Sequence, residues 1–282
     1  MSEHDAAPAA LAGRDSRNLL TRVAAALVLA PVAIAAAYAG GWWWAALVTL
    51  ATIGLFVEWL TVVGVAEGTR VVIAGAAALA ISGLLLALAR IEASLLILAL
   101  GLAGVTLLSG EPRRWAAAGF LYAAVAQMAS VVVRLDQAHG FAALILVLLV
   151  VWATDIGGYF AGRAIGGPKL WPRVSPKKTW AGAIGGFAAS LVVSASVPVF
   201  GFGGIWPMLL VGAVLSIASQ FGDLFESAVK RRFGVKDSSH IIPGHGGLMD
   251  RLDGLVAAIA LAAIFGVLRG GVDGVGRALM VW

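Results

Sequence analysis

The sequence contains no cysteine and little charge. Of its 282 residues, 12% are Asp, Glu, Lys or Arg, whereas about a quarter are charged in a typical soluble domain. The absence of cysteine excludes disulfide bonds, thiolate nucleophiles and cysteine-bound metals. The low charge accompanies 61% apolar residues and a mean hydropathy of +0.95, which exclude an ordinary water-soluble fold. No G-x-x-x-x-G-K-[ST] loop is present, which argues against a P-loop nucleotide hydrolase.

Long apolar stretches predict an all-α, polytopic membrane protein with about nine transmembrane helices. A bilayer core about 30 Å thick needs roughly 20 consecutive apolar residues to be crossed by a helix. Residues 1–18 are polar and predict a disordered cytoplasmic tail, and residues 19–282 predict a single integral-membrane domain. The nine apolar stretches lie approximately at 20–39, 43–66, 71–89, 91–108, 115–133, 141–161, 180–200, 205–225 and 252–269.

Lysine and arginine are distributed unevenly between the two sides of this predicted bundle. If the N-terminus is cytoplasmic, 16 of the 20 basic residues face the cytoplasm. Cytoplasmic loops of membrane proteins are enriched in Lys and Arg, so this split predicts a cytoplasmic N-terminus. The segment from Arg14 to about Gly40 also has the features of a secretory signal, but the alternation of charge requires that it stay. The four basic residues predicted to face outward are Arg90, Arg134, Arg269 and Arg277.

Two polar stretches interrupt the apolar pattern, and both open to the predicted cytoplasmic side. The first follows the sixth span, at 152–180, and the second runs from the end of the eighth span to the start of the ninth, at 219–253. Ionisable residues near a membrane span are candidates for a functional site. Helical spacing puts three sets on common faces: Trp152, Asp155 and Tyr159; Ser219, Asp223, Glu226 and Lys230; and Asp250 and Asp253.

These acids and the basic residues between them suit phosphate chemistry with a hard metal ion. Mg²⁺ is typically held by one or two carboxylates together with substrate phosphates. Arg and Lys bind the remaining phosphate oxygens. Glycines such as Gly246 and Gly247 let backbone amides approach an anion. The sequence therefore predicts that carboxylates from three helix ends meet at one membrane interface.

Each acidic group also has a purely structural interpretation. Asp223 and Glu226 could neutralise the basic run at 230–232, since unlike charges four apart on a helix commonly pair. Asp250 and Asp253 could pair with Arg251 and cap the last span, where the helix N-terminus favours an acid.

Two further acids stay ambiguous in the sequence. Asp155 could bind metal or substrate, or could pair with Arg163. Glu58 lies amid the second span, beside Trp59, and the sequence assigns it no partner. The basic runs by themselves could serve only to fix the topology and to contact anionic lipid.

The polar stretches resemble the motifs of a known family. The run S-A-V-K-R-R-F-G-V-K-D-S-S-H-I-I-P-G-H-G-G-L-M-D-R-L-D, at 227–253, closely resembles the signature of the phosphatidate cytidylyltransferases, also called CDP-diacylglycerol synthases. S-Q-F-G-D-L-F-E-S at 219–227, D-I-G-G-Y-F-A-G-R at 155–163 and S-P-K-K-T-W at 175–180 are similar to further blocks of that family. The chain departs from the family at Ala181, where the family usually has an acid before Gly182.

The resemblance implies a multi-pass membrane enzyme that condenses phosphatidic acid with CTP, giving CDP-diacylglycerol and pyrophosphate with Mg²⁺ as the cofactor. A second cation is left open. The implied partners are CTP, phosphatidic acid and membrane lipid, without nucleic acid, and a homodimer is one oligomeric state that the sequence leaves open. The implied location is the bacterial cytoplasmic membrane, with the site facing the cytoplasm and most of the motifs within about 150–255.

The family's metal-binding acids fall on Asp223 and Asp250. With the reasoning on charge and spacing above, the predicted catalytic residues are Asp223, Lys230, Asp250 and Arg251, and the predicted metal ligands are Asp223, Glu226, Asp250 and Asp253. The predicted substrate-binding residues are Asp155, Arg163, Ser175, Lys177, Lys178, Arg231, Lys236, His245, Gly246 and Gly247.

Two other functions remain as alternatives. A CTP-dependent lipid-alcohol kinase would transfer a γ-phosphoryl group to an alcohol, although the full signature favours the cytidylyltransferase. An ion transporter would be expected to carry polar residues near the middle of its spans, whereas here they crowd one interface.

Overall fold

The computed structural model describes residues 31–65, 69–239 and 246–282, and these are almost entirely helical. The predicted tail at 1–18, most of the first predicted span and His245 lie outside the described residues. Residues 31–39 are helical and lead directly into the first complete helix. The helices are α1 (Gly41–Val62), α2 (Thr69–Ala87), α3 (Ile91–Leu108), α4 (Arg113–Leu135), α5 (Gly140–Ile165), α6 (Trp180–Ser196), α7 (Ile205–Arg232), α8 (Met249–Gly270) and α9 (Val275–Met280).

Eight of the described helices are long and apolar enough to cross a membrane, α6 together with the short 3-10 turn that follows it at Val197–Phe200. They correspond to the second to ninth predicted spans, so the prediction of an all-α polytopic membrane protein is confirmed. The largest extensions beyond the predicted apolar stretches are in three helices: α5 continues to Ile165, α7 continues to Arg232, and α8 begins at Met249. Six of the predicted site residues lie on these extensions: Arg163, Glu226, Lys230, Arg231, Asp250 and Arg251.

The sequence did not predict the β-structure of this chain or the short helix α9. Between α5 and α6 the chain forms a short antiparallel hairpin of β1 (Lys169–Trp171) and β2 (Ser175–Thr179), with Lys169 opposite Thr179 and Trp171 opposite Ser175. The Thr179 hydroxyl then caps α6 by accepting a hydrogen bond of 3.1 Å from the Gly182 amide. The hairpin is therefore fixed to the start of a membrane helix.

A buried polar network connects the first four helices. Gln127 of α4 is fully buried; its amide nitrogen donates to Thr49 Oγ1 at 3.0 Å and to the Leu79 carbonyl at 2.9 Å. Its amide oxygen accepts from the Ser82 hydroxyl at 3.0 Å, which lies 2.8 Å from the Ser94 hydroxyl. A buried amide is costly unless it is hydrogen-bonded, and here the bonds connect α1, α2, α3 and α4.

The helices that carry the site approach each other closely through glycine. A Cβ atom at Gly182 of α6 would lie 2.9 Å from the Gly158 carbonyl oxygen of α5. Similarly, a Cβ atom at Gly222 of α7 would lie 2.5 Å from the carbonyl oxygen of Asp253 on α8. Small residues let membrane helices pack backbone to backbone, so these glycines set how closely the acidic residues of neighbouring helices can approach.

Candidate active site

An open cavity of about 490 Å³ lies at one end of the bundle, between α5, the hairpin, α6 and α7. Its lining contains two acids, Asp155 and Asp223, and three basic residues, Arg163, Lys177 and Lys178. The sequence predicted all five as site residues, and the fold brings them together from three separate elements. A cavity with both charges in its wall can hold an anionic ligand together with a cation.

The hairpin positions a lysine beside α7. Lys178 of β2 forms an ion pair with Asp223, and both side chains are a little more than one quarter exposed. The Ser227 hydroxyl, one turn further along α7, lies 3.4 Å from the other oxygen of Asp223. The carboxylate of Asp155 is an electrostatic neighbour of both Asp223 and Lys178. Asp223 therefore pairs with a lysine from the hairpin and not with the basic run that follows it on α7.

A second lysine connects α7 and α8. Lys230 Nζ lies 2.8 Å from Glu226 Oε1 and 2.5 Å from Asp250 Oδ1. The Glu226 side chain has no exposed surface, and those of Lys230 and Asp250 are only 12% and 13% exposed. Glu226 therefore pairs with Lys230, the first residue of the basic run at 230–232, as its structural interpretation predicted. Lys230 and Asp250 lie outside the lining of the 490 Å³ cavity.

The chain before α8 folds back onto Asp250. Asp250 Oδ2 accepts hydrogen bonds from the amides of Ser238 and Gly247, each at 3.1 Å, and lies 3.1 Å from the Ser238 hydroxyl. Gly246 has a φ of +81°, a conformation that glycine adopts without strain. Asp250 therefore connects the first turn of α8 to the chain before it, whereas the predicted N-cap is not formed by an acid, because Leu248 occupies the N-cap position and makes no side-chain cap hydrogen bond.

The carboxylate of Asp253 interacts electrostatically with acids of both lysine–carboxylate clusters. On the cavity side its neighbours are Asp223 and Asp155, and on the other side its neighbour is Glu226. Its Oδ1 accepts a hydrogen bond of 2.7 Å from the following amide, that of Gly254. Five acids from α5, α7 and α8 thus lie at one end of the bundle, as the sequence predicted.

Other predicted site residues lie further out. The Arg163 guanidinium donates to the Tyr159 hydroxyl at 2.8 Å, and no ion pair to Asp155 is recorded among the described residues. Arg231 is exposed and donates to the Val235 carbonyl at 3.3 Å. The remaining predicted residues on this surface are Lys236 and Arg251, which are exposed, and Ser175 of β2, which is half-buried.

Glu58 is a residue of this site that the sequence did not assign. It belongs to α1, is 1% exposed, and contacts Ser238, Ser239, Leu248 and Met249 of the signature segment. The available signal was a carboxylate inside an apolar span, which is rarely placed there without a function. Its partners are about 180 residues away in the chain, so only the fold identifies them.

The acidic residues suit a metal ion that the substrate helps to hold. Among the described residues, no three acidic or histidine side chains converge closely enough to bind a metal by themselves. Each of the two acids implied as ligands has a lysine as its counter-charge, Lys178 at Asp223 and Lys230 at Asp250. Both Glu226 oxygens are buried without a hydrogen bond, and one of them has only the ion pair to Lys230. Oxygen donors of this kind fit Mg²⁺, which usually completes its shell with phosphate and water.

Comparison with known proteins agrees with this chemistry. The model of the cytidylyltransferase family matches residues 20–268. The chain belongs to the cytidylyltransferase family. It is 41% identical over 261 residues to a phosphatidate cytidylyltransferase of Brucella suis biovar 1, covering 89% of this chain and 94% of that protein. It is also 48% identical over 130 residues to a phosphatidate cytidylyltransferase of Staphylococcus haemolyticus, covering 45% of this chain and 50% of that protein.

The match extends over nearly all the described helices. It includes α1 with Glu58 as well as the helices that carry the motifs, α5, α7 and α8. The protein is therefore a multi-pass membrane member of this family over its whole bundle, and not a motif-bearing half joined to unrelated spans.

Proposed function

We infer that the protein transfers a cytidylyl group from CTP to phosphatidic acid, forming CDP-diacylglycerol and pyrophosphate for phospholipid synthesis. The family match and the relatives of this activity support the inference. The observation that carries it in the molecule is the set of lysine–carboxylate pairs that joins two membrane helices, α7 and α8, and the hairpin at one end of the bundle.

The reaction requires electrostatic help more than a strong base. A phosphate oxygen of phosphatidic acid attacks the α-phosphorus of CTP, the bond from that phosphorus to the β-phosphate oxygen breaks, and pyrophosphate leaves with the electron pair. The nucleophile is already an anion near neutral pH. The obstacle is bringing two anions together, which fixed positive groups at the site reduce.

The lysines are suited to a double role. In the described structure Lys178 and Lys230 neutralise Asp223 and Asp250. When anionic substrate enters, the flexible ammonium groups can move to phosphate oxygens, because a lysine binds phosphate as a point charge. Lys177 and Arg163, in the wall of the same cavity, add positive charge where the triphosphate or the lipid phosphate would lie.

The carboxylates freed in this way would hold Mg²⁺. Asp223 and Asp250 are the proposed ligands, with Asp253, an electrostatic neighbour of Asp223, as a further donor. Bound there, Mg²⁺ would neutralise the triphosphate and stabilise the departing pyrophosphate. Glu226, buried against Lys230, is assigned to orient that lysine.

The site is placed at the cytoplasmic face of the bacterial plasma membrane. Most of the basic residues lie at the same end of the bundle as the site, as the positive-inside rule requires for a cytoplasmic face. The helices that line the cavity also carry exposed apolar side chains, such as Ile156 of α5 and Ile184 of α6, beside which acyl chains could remain in lipid. CTP would enter from the cytoplasm.

Position-specific labelling of CTP tests this function directly. Purified enzyme in detergent with phosphatidic acid and Mg²⁺ should move label from the α-phosphorus of CTP into lipid, and label from the γ-phosphorus into pyrophosphate. If γ-label enters lipid when a polyprenol is supplied, the enzyme is a lipid-alcohol kinase. Failure of α-label to enter lipid with phosphatidic acid would refute the proposal.

A further inference from the structure

Glu58 reaches the signature segment from a helix that carries none of the motifs. Its Oε1 accepts from the Leu248 amide at 2.8 Å and from the Ser239 hydroxyl at 2.6 Å. Its Oε2 accepts from the Met249 amide at 2.7 Å. Leu248 is the N-cap residue of α8, and Met249 is the first residue of the helix, immediately before Asp250. The carboxylate of Glu58 on α1 therefore binds both the start of α8 and Ser239, which lies between α7 and α8.

The Ser238 hydroxyl connects this carboxylate to Asp250. It lies 3.1 Å from Glu58 Oε2 and 3.1 Å from Asp250 Oδ2, and it has a single proton to donate. The Ser238 amide donates to the same oxygen of Asp250. Because Glu58 and Asp250 share this one serine, a displacement of Glu58 would be transmitted to Asp250 over two short contacts.

Packing and charge both fix Glu58 in this position. The first amides of a helix have no partners within it, and they attract an anion. A Cβ atom at Gly247 would lie 2.8 Å from Glu58 Oε2, so the segment presses directly on the carboxylate. Glu58 and its neighbours Leu55 and Trp59 are at most 1% exposed, so the carboxylate is buried among packed side chains.

We propose that Glu58 is a positioning residue of the enzyme: it caps α8 from another helix and holds Asp250 where its carboxylate can bind Mg²⁺. The proposal rests on the proposed role of Asp250 as a metal ligand. It assigns a function in the reaction to the N-terminal half of the chain, which does not contribute to the motifs. It also gives a reason for a carboxylate within an apolar span.

The test is Glu58→Gln, which keeps the shape but replaces one acceptor oxygen by a donor facing a backbone amide. Hydrogen–deuterium exchange of the substrate-free and metal-free protein should show the amides of Leu248 and Met249 exchanging at least about tenfold faster. The Mg²⁺ concentration for half-maximal activity should rise at least about tenfold, as when outer-shell partners of metal ligands are removed. Glu58→Asp, which retains the charge, should recover part of both properties.

Gln127→Met is the matched control, because it removes another fully buried and hydrogen-bonded side chain from the same half of the bundle. It should lower thermal stability while leaving exchange at 248–249 and the Mg²⁺ requirement within about twofold of the parent protein. Equal changes in Glu58→Gln and Gln127→Met, or parental exchange and Mg²⁺ dependence in Glu58→Gln, would overturn the proposal.

If Glu58→Gln does not accumulate in membranes, Ser238→Ala decides. It removes only the hydroxyl between the two carboxylates. A raised Mg²⁺ requirement supports the proposal, and an unchanged one overturns it.

Asp250→Asn distinguishes failure of the proposed metal role from failure of the proposed role of Glu58. If that variant keeps its activity, the proposed metal role fails, whereas the exchange result for Glu58 stands or falls independently.

Discussion

The two lysines of the site should respond very differently to the same substitution. Lys230 lies between a fully buried Glu226 and a nearly buried Asp250, whereas Lys178 and Asp223 are each more than one quarter exposed. Removing one partner of a buried pair leaves a charge without compensation and costs roughly 3–5 kcal/mol. An exposed pair contributes only about 0.2–1 kcal/mol. Lys230→Met should therefore destabilise the fold strongly, and Lys178→Met should barely do so.

The assay is thermal unfolding of the purified protein in detergent. At about 2–4 °C per kcal/mol, Lys230→Met should lower the Tm by roughly 6–20 °C, and Lys178→Met by at most about 4 °C. Both variants should lose cytidylyl transfer, because both lysines are assigned to phosphate binding. The double variant Glu226→Gln/Lys230→Met also removes the fully buried charge of Glu226, although Asp250 still lacks its lysine, and should recover part of the Tm without recovering activity. Equal Tm changes for the two lysines, or no recovery in the double variant, would refute this reasoning.

Three further predictions concern the helices around the site and the opposite end of the bundle. Gly182→Val should separate α6 from the Gly158 carbonyl of α5 and should lower both the Tm and the activity. Gly182→Ala should lower them less. A parental Tm and parental activity in both variants would contradict the close packing. Gln127→Leu should lower the Tm with the KM for CTP unchanged, because its network lies away from the site; a raised KM would contradict that separation. Burial disfavours the charged form of Asp136, but the hydrogen bonds from the amides of residues 138, 139 and 277 outweigh it and hold its pKa below the ordinary 3.8. Its stabilising contribution is thus present above the ordinary pKa and lost as the pH falls through the lowered one, so the Tm difference between parent and Asp136→Asn should be full at neutral pH and disappear in strong acid.

Much of this fold follows from local properties of the chain. Apolar stretches of bilayer length marked eight of the described helices, and the three-and-four spacing of Asp223 and Glu226 placed them on one face of α7. The limits of the helices were less predictable, since α7 and α8 continue past their apolar stretches into charged turns that are covered by other protein segments. The hairpin was missed because S-P-K-K-T has no strand pattern of alternating apolar residues.

The pairing of charges could be predicted only in part. Glu226 with Lys230 is an i, i+4 pair on one helix, and the sequence indicated it. The pairing of Lys178 with Asp223, and the contacts of Glu58, depend on how distant segments fold together. Sequence spacing identifies neighbours on one helix, but packing between helices decides which opposite charge each acid meets.

Asp223 and Asp250 are proposed to bind one cation together, and the decisive measurement is Mg²⁺ titration of activity. Asp223→Asn, Asp250→Asn and, as a control from the other end of the bundle, Asp136→Asn should be purified in parallel and assayed with α-labelled CTP and phosphatidic acid. Asp223→Asn and Asp250→Asn should form no labelled lipid at any Mg²⁺ concentration while remaining folded, and Asp136→Asn should titrate like the parent protein. Parental Mg²⁺ dependence in either of the first two variants would contradict the account.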